Sequence, residues 1–95
     1  MFKAEQKDGK LNISFEGRMD TATCSGIEKD VGVEIEKAGK PVIFDLAGVD
    51  FVSSAFLRIC ILAAKTAATG KFQVVNAAPQ IKKVFKIAGM DQFLG

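Results

Sequence analysis

The chain has 95 residues, 48% of them apolar, and its 13 basic and 11 acidic side chains leave a net charge of +2. That length sets a single small domain, residues 1–95, with a modest core. The near-neutral balance gives no polyanion-binding signature, and the absence of histidine removes the commonest general base and metal ligand.

The first strand runs from Met1 to Gln6, with Phe2 and Ala4 on one face. Lys7-Asp8-Gly9-Lys10 is a tight turn, because Asp-Gly favours the positive φ angles of hairpin loops. Leu11 to Glu16 alternates apolar and polar residues, the period of a half-buried strand, and Gly17-Arg18-Met19-Asp20 ends it. Asp20, Thr21 and Thr23 offer caps for a first helix, while Ser25-Gly26-Ile27-Glu28 is an alternative, capping-box start. Ile27, Val31, Ile35 and Ala38 form its apolar stripe. Gly26 and Gly32 each cost it about 1 kcal/mol relative to alanine, and Gly39 ends it as a C′ residue.

Val42-Ile43-Phe44-Asp45-Leu46, entered from Pro41, reads as a buried strand, and Ala47-Gly48-Val49-Asp50 as the turn that follows it. Ser53 or Ser54 then caps a helix running to about Thr69 and Gly70. That helix is apolar nearly all round, which implies burial on more than one side. Phe72-Gln73-Val74-Val75 is the last strand. A third helix starts near Pro79, buries Ile81, Val84, Phe85 and Ala88, and is capped by Gly89. Lys82, Lys83 and Lys86 make its solvated face. Phe93 and Leu94, in the short tail, pack back. The order β-β-α-β-α-β-α implies an α/β fold, a small mixed four-stranded sheet covered by helices.

The residues around the serine pair carry a resemblance. Asp45-Leu46 is followed by Val49-Asp50-Phe51-Val52 and then Ser53-Ser54-Ala55-Phe56-Leu57-Arg58. This resembles the signature of the STAS family, the domain shared by anti-sigma factor antagonists and the cytoplasmic tails of sulfate transporters. The match is to the Ser-Ser-Ala-x-Leu-Arg variant, with Phe56 where the family usually has glycine. It covers nearly the whole chain, the opening hairpin included.

No nucleophile–histidine pair, zinc spacing, P-loop or GxGxxG is present, and no set of groups fills the roles of a catalyst. Asp20, Asp45 and Asp50 are equally explained as cap, strand-end and turn residues. The expected class is a binding module, not an enzyme, with no cofactor and no direct nucleic-acid contact. Cys24 and Cys60 are read as free thiols in a reducing cytoplasm. The polar N-terminus has no secretory pattern, and Ala55–Ala64, interrupted by Arg58, is too short to cross a membrane.

The resemblance implies a regulatory domain that binds a serine kinase which also holds a sigma factor. Phosphorylation ends that binding and a phosphatase restores it. A phosphate adds nearly two negative charges and three acceptor oxygens, which a helix N-terminus tolerates. We expect the phosphoacceptor at Ser54 ahead of Ser53, as the hydroxyl nearest the helix N–H groups. Asp20, Asp50, Ser53, Ser54, Phe56 and Arg58 make the expected partner surface. Arg58, taken as a first-turn cation, opposes the helix dipole and calls for a phosphate, Asp20 or Asp50 to offset it. Its alternative is a solvated guanidinium on a packed stem. Phe56 either fills the core or stands beside the serines as an aromatic anchor. Two other readings remain: a non-phosphorylated structural subunit docked on an ABC-transporter ATPase, and a nucleotide or small-ligand site at the serine loop.

Overall fold

In the computed structural model, which describes residues 2–67 and 71–95, the expected hairpin forms from β1 (Phe2–Lys7) and β2 (Lys10–Met19). Asp8 and Gly9 turn it at φ 54° and 75°, the left-handed pair that a two-residue hairpin loop requires. Asp20 starts α1 (Thr21–Ala38) by accepting from Thr23 N–H, so the capping-box start at Ser25 is not used. Gly39 closes that helix in the left-handed conformation. Then come β3 (Val42–Val52), α2 (Ser54–Thr66), β4 (Phe72–Val75), α3 (Pro79–Ile87) and a 3-10 turn at Asp91–Phe93. The sheet order is β1-β2-β3-β4. β1 lies antiparallel to β2, and β2, β3 and β4 are parallel.

Two strands run further than their patterns indicate. β2 does not end at Gly17, and residues 47–50 are not a turn: β3 continues to Val52, paired with Glu16–Met19. The pairing steps from Ser14↔Asp45 to Glu16↔Gly48 and from Gly17↔Val49 to Arg18↔Phe51, so β3 holds one extra residue at each step. Such bulges bend a strand and break its two-residue period. The buried residues Leu46, Val49 and Val52 therefore recur at three, a spacing that reads as irregular chain. Gly48 sits where β2 crowds closest: a Cβ there would stand 3.1 Å from Glu16 Cγ and 3.3 Å from the Phe15 carbonyl oxygen.

The helices cover one face of the sheet. Leu11, Ile13, Phe15, Val42, Phe44, Phe72 and Val74 are buried and join the buried residues of all three helices in one core. Between them along the strands, Asn12, Ser14, Ile43 and Gln73 are half-buried or exposed. Each strand contributes a phenylalanine. Phe15 meets Phe44 at 4.8 Å, Phe44 meets Phe72 at 4.8 Å, and Phe2 tilts onto Phe15 at 6.3 Å. The tail packs back as expected, with Phe93 on Phe72 at 5.3 Å and Leu94 bridged to Val74.

α2 departs from its expected burial. Ala55, Phe56, Ile59, Cys60 and Ala63 face inward, but Ile61 and Leu62 are each 41% exposed. The expected helix end at Thr69 and Gly70 lies outside the described residues. No helix of the described residues is long and apolar enough to cross a membrane.

Candidate functional site

β2 and β3 finish side by side, Met19 opposite Val52, and each passes directly into a helix. Two helix N-termini, with their free N–H groups and positive dipole ends, therefore stand together at the C-terminal edge of the parallel strands. One backbone carbonyl joins them. Met19 C=O accepts from Ser53 N–H at 3.0 Å, from the Ser53 hydroxyl at 2.8 Å and from the Cys24 thiol at 3.6 Å.

The two serines take different places. Ser53 is the N-cap of α2: its Oγ accepts from Phe56 N–H at 3.4 Å while donating to Met19, and the side chain is half-buried. Ser54 is the first helical residue and is exposed. The hydroxyl nearest the helix N–H groups is thus Ser53, not Ser54 as the sequence leads one to expect. What distinguishes Ser54 is accessibility.

Phe56 is not a surface anchor. It is fully buried, edge-on to Phe15 at 5.1 Å and 6.1 Å from Phe44. The reason is helical phase: Phe56, Ile59, Cys60 and Ala63 share one face, and that face is turned to the sheet. The exposed aromatic is Phe51, at 38%, with the Arg18 guanidinium 4.3 Å from its ring centre. Arg18 and Phe51 are register partners across β2 and β3. Neither residue's environment is legible until the bulged pairing is known.

Arg58 is exposed and, with α2 starting at Ser54, is its fifth residue. It belongs to the second turn, where the dipole has faded, so its charge needs less compensation than a first-turn cation. It lies four residues after Ser54, on the same side of the helix. Asp50, in the second bulge of β3, is exposed. Asp20 is half-buried, and its carboxylate accepts from Thr23 N–H at 2.9 Å. That bond, with Arg18 nearby, holds its pKa below the ordinary value. Asp45 does not end a strand. Its Oδ1 accepts from Ala47 N–H at 3.0 Å and from Asn76 Nδ2 at 3.2 Å, bracing the first bulge. Burial raises the Cys24 thiol pKa and raises that of Cys60 further.

A concavity of about 510 Å³ is remote from the serines. It opens at the other end of the strands, between Lys10, Pro41, Lys71, Phe72 and Phe93.

The chain belongs to the STAS domain family, which it matches over residues 1–94. It is 30% identical over 84 residues to BtrV of Bordetella bronchiseptica, named as an anti-sigma factor antagonist, covering 86% of this chain and 72% of that one. The fold is that of SpoIIAA, an anti-sigma factor antagonist, in its unphosphorylated form (TM-score 0.85, 18% identity, 100% of this chain and 86% of that one). The phosphorylated form of SpoIIAA, from Bacillus, superposes with a TM-score of 0.76 at 17% identity, over 100% of this chain and 89% of that one. An anti-sigma factor antagonist from Mycobacterium paratuberculosis matches with a TM-score of 0.85 at 24% identity, over 99% and 81% of the two chains.

Proposed function

We propose that this protein is an anti-sigma factor antagonist of the Ser-Ser-Ala-x-Leu-Arg form, a non-enzymatic partner-switching module of the cytoplasm, controlled by reversible phosphorylation of Ser54. The unmodified domain binds a serine kinase that holds a sigma factor, and a phosphatase reverses the modification. The observation that carries this reading is the division of labour between the serines. Ser53 is engaged by Met19 and Phe56, whereas Ser54 presents an exposed hydroxyl on the first turn of α2. A phosphate there stands at a helix N-terminus, which favours its charge without unfolding the helix. Its effect falls on whatever docks against that end of the sheet. The relationship to BtrV and the SpoIIAA fold support the same class of function.

The test is intact and peptide mass spectrometry of the protein isolated from its native cells with phosphatase inhibitors present. The expected result is one phosphate on Ser54 and none on Ser53. An unmodified serine peptide under all growth and stress conditions would instead identify a constitutive STAS subunit, with Ser53 a helix cap and no switch.

A further inference from the structure

The three parallel strands begin in register, and the residues that lead into them make a basic rim with an apolar centre. Leu11, Val42 and Phe72 stand side by side across β2, β3 and β4, and Lys10, Pro41 and Lys71 come just before them. Leu11 N–H donates to Pro41 C=O at 2.9 Å and Val42 N–H donates to Lys71 C=O at 3.0 Å, which ties the three strand starts together. The backbones of Lys10 and Lys71 are therefore two strand spacings apart, about 10 Å. Between them is a proline with no N–H to offer.

This rim lines the concavity of about 510 Å³ at that end of the sheet, together with two rings. Phe72 and Phe93 meet there edge to face at 5.3 Å. Phe93 is held in place by the residues after it: Leu94 bridges to Val74, and Gly95 N–H donates to Val74 C=O at 2.7 Å. The tail thus supplies a wall that the strands alone lack, and Gln92 adds an amide to it. Among the described residues the lining holds no carboxylate; Lys10 and Lys71 are its only ionisable side chains.

These features select a ligand class. The volume falls within the range of small-molecule sites, roughly 300–1,000 Å³. Two cations on one concavity with no acid between them favour a bound anion. The two rings, Pro41 and Ile43 favour a flat apolar body, and a bare inorganic anion would leave that apolar lining in water.

We propose that this concavity is a binding site for a small organic anion with a planar apolar body, an aromatic carboxylate or aryl phosphate, held by Lys10 and Lys71 against Phe72 and Phe93. It lies at the end of the strands away from Ser54 and does not rest on the phosphoswitch reading.

The experiment is an amide NMR titration of the purified protein with naphthoate and naphthyl phosphate as probes. Naphthamide serves as the neutral counterpart and inorganic phosphate as the bare anion. Both aromatic anions should shift the amides of Lys10, Val42, Lys71 and Phe93 with a Kd below about 1 mM. Lys10→Gln/Lys71→Gln, at two exposed positions, should keep its melting temperature and raise that Kd at least tenfold. Lys29→Gln, on α1 and outside the concavity, should leave it unchanged. Naphthamide binding as tightly as naphthoate overturns recognition of the charge, and inorganic phosphate binding as tightly overturns recognition of the ring. Shifts centred on Gly32 and Leu62 overturn the location, because those residues line a different hollow between α1 and α2. No shift from either aromatic anion at about 5 mM overturns the site altogether.

Discussion

Replacing Ser53 by alanine removes both the acceptor for Phe56 N–H and a donor to Met19 C=O. Loss of an N-cap costs about 1 kcal/mol, so Ser53→Ala should melt roughly 4–8 °C below wild type. It should still be phosphorylated at Ser54. Ser54→Ala should do the reverse, holding its melting temperature and losing the phosphate, and calorimetry beside mass spectrometry checks the pair. Asp20 makes a pH prediction. The Thr23 N–H bond and, less strongly, Arg18 lower its pKa in the folded protein from the ordinary value of 3.8. A depressed carboxylate contributes stability that is complete above the unfolded pKa and is lost as pH falls through the folded one. Wild type should therefore lose more urea resistance than Asp20→Asn as the pH drops below about 4. Above about pH 6 the two should run parallel, because asparagine also caps helices well. Equal acid-side slopes would show that the carboxylate contributes nothing to folding.

On the proposed reading the phosphate sits on the second helix, so that helix's own stability should respond to it. A phosphate on Ser54 meets the helix N-terminus and, four residues on, the Arg58 guanidinium, the favourable order of acid before base. Phosphorylated protein should be more stable than unmodified protein by roughly 1 kcal/mol, with about half of that gain missing in Arg58→Ala. Denaturant midpoints of the four species measure it. On the inner face of the same helix, Phe56 closes the aromatic cluster against Phe15 and Phe44. Phe56→Ala should cost roughly 3–5 kcal/mol, whereas Phe51→Ala, which loses an exposed ring and its Arg18 contact, should cost about 1 kcal/mol. Equal losses would contradict the placement of the two rings. Elements with a clean period were readable from the chain: the Asp8-Gly9 hairpin, the stripe Ile27–Val31–Ile35, and Pro79 at the head of α3. The continuation of β3 was not, because two bulges convert its alternation into steps of three, and only pairing with β2 makes those steps a strand. Exposure around α2 was equally hidden. Its composition implies burial all round, but just one face has a sheet to meet, which leaves Ile61 and Leu62 outside.

At the scale of the molecule, the two thiols report on the fold as a unit. Cys24 on α1 and Cys60 on α2 are free and buried in the one core, and burial disfavours their reactive thiolate forms. Alkylation of both should follow the rate of global opening, and urea well below the unfolding midpoint should leave both protected. Fast labelling of Cys24 alone would reveal a separately opening α1. That the sheet is mixed and covered by helices was readable before its strand order was, since alternation of strand and helix after a hairpin implies that class of fold. Which serine caps α2 was not, because that depends on where Met19 C=O lies, a residue 34 positions before Ser53. The sheet order β1-β2-β3-β4 also repeats the order of synthesis. A ribosome releasing this chain delivers each strand next to the edge it will join. The hairpin forms from contacts no further apart than Phe2 and Phe15, and every later strand finds its template already made. No strand has to be inserted between two that have already paired, so the growing edge and the outer edge of β1 are what a nascent chain must keep from pairing wrongly.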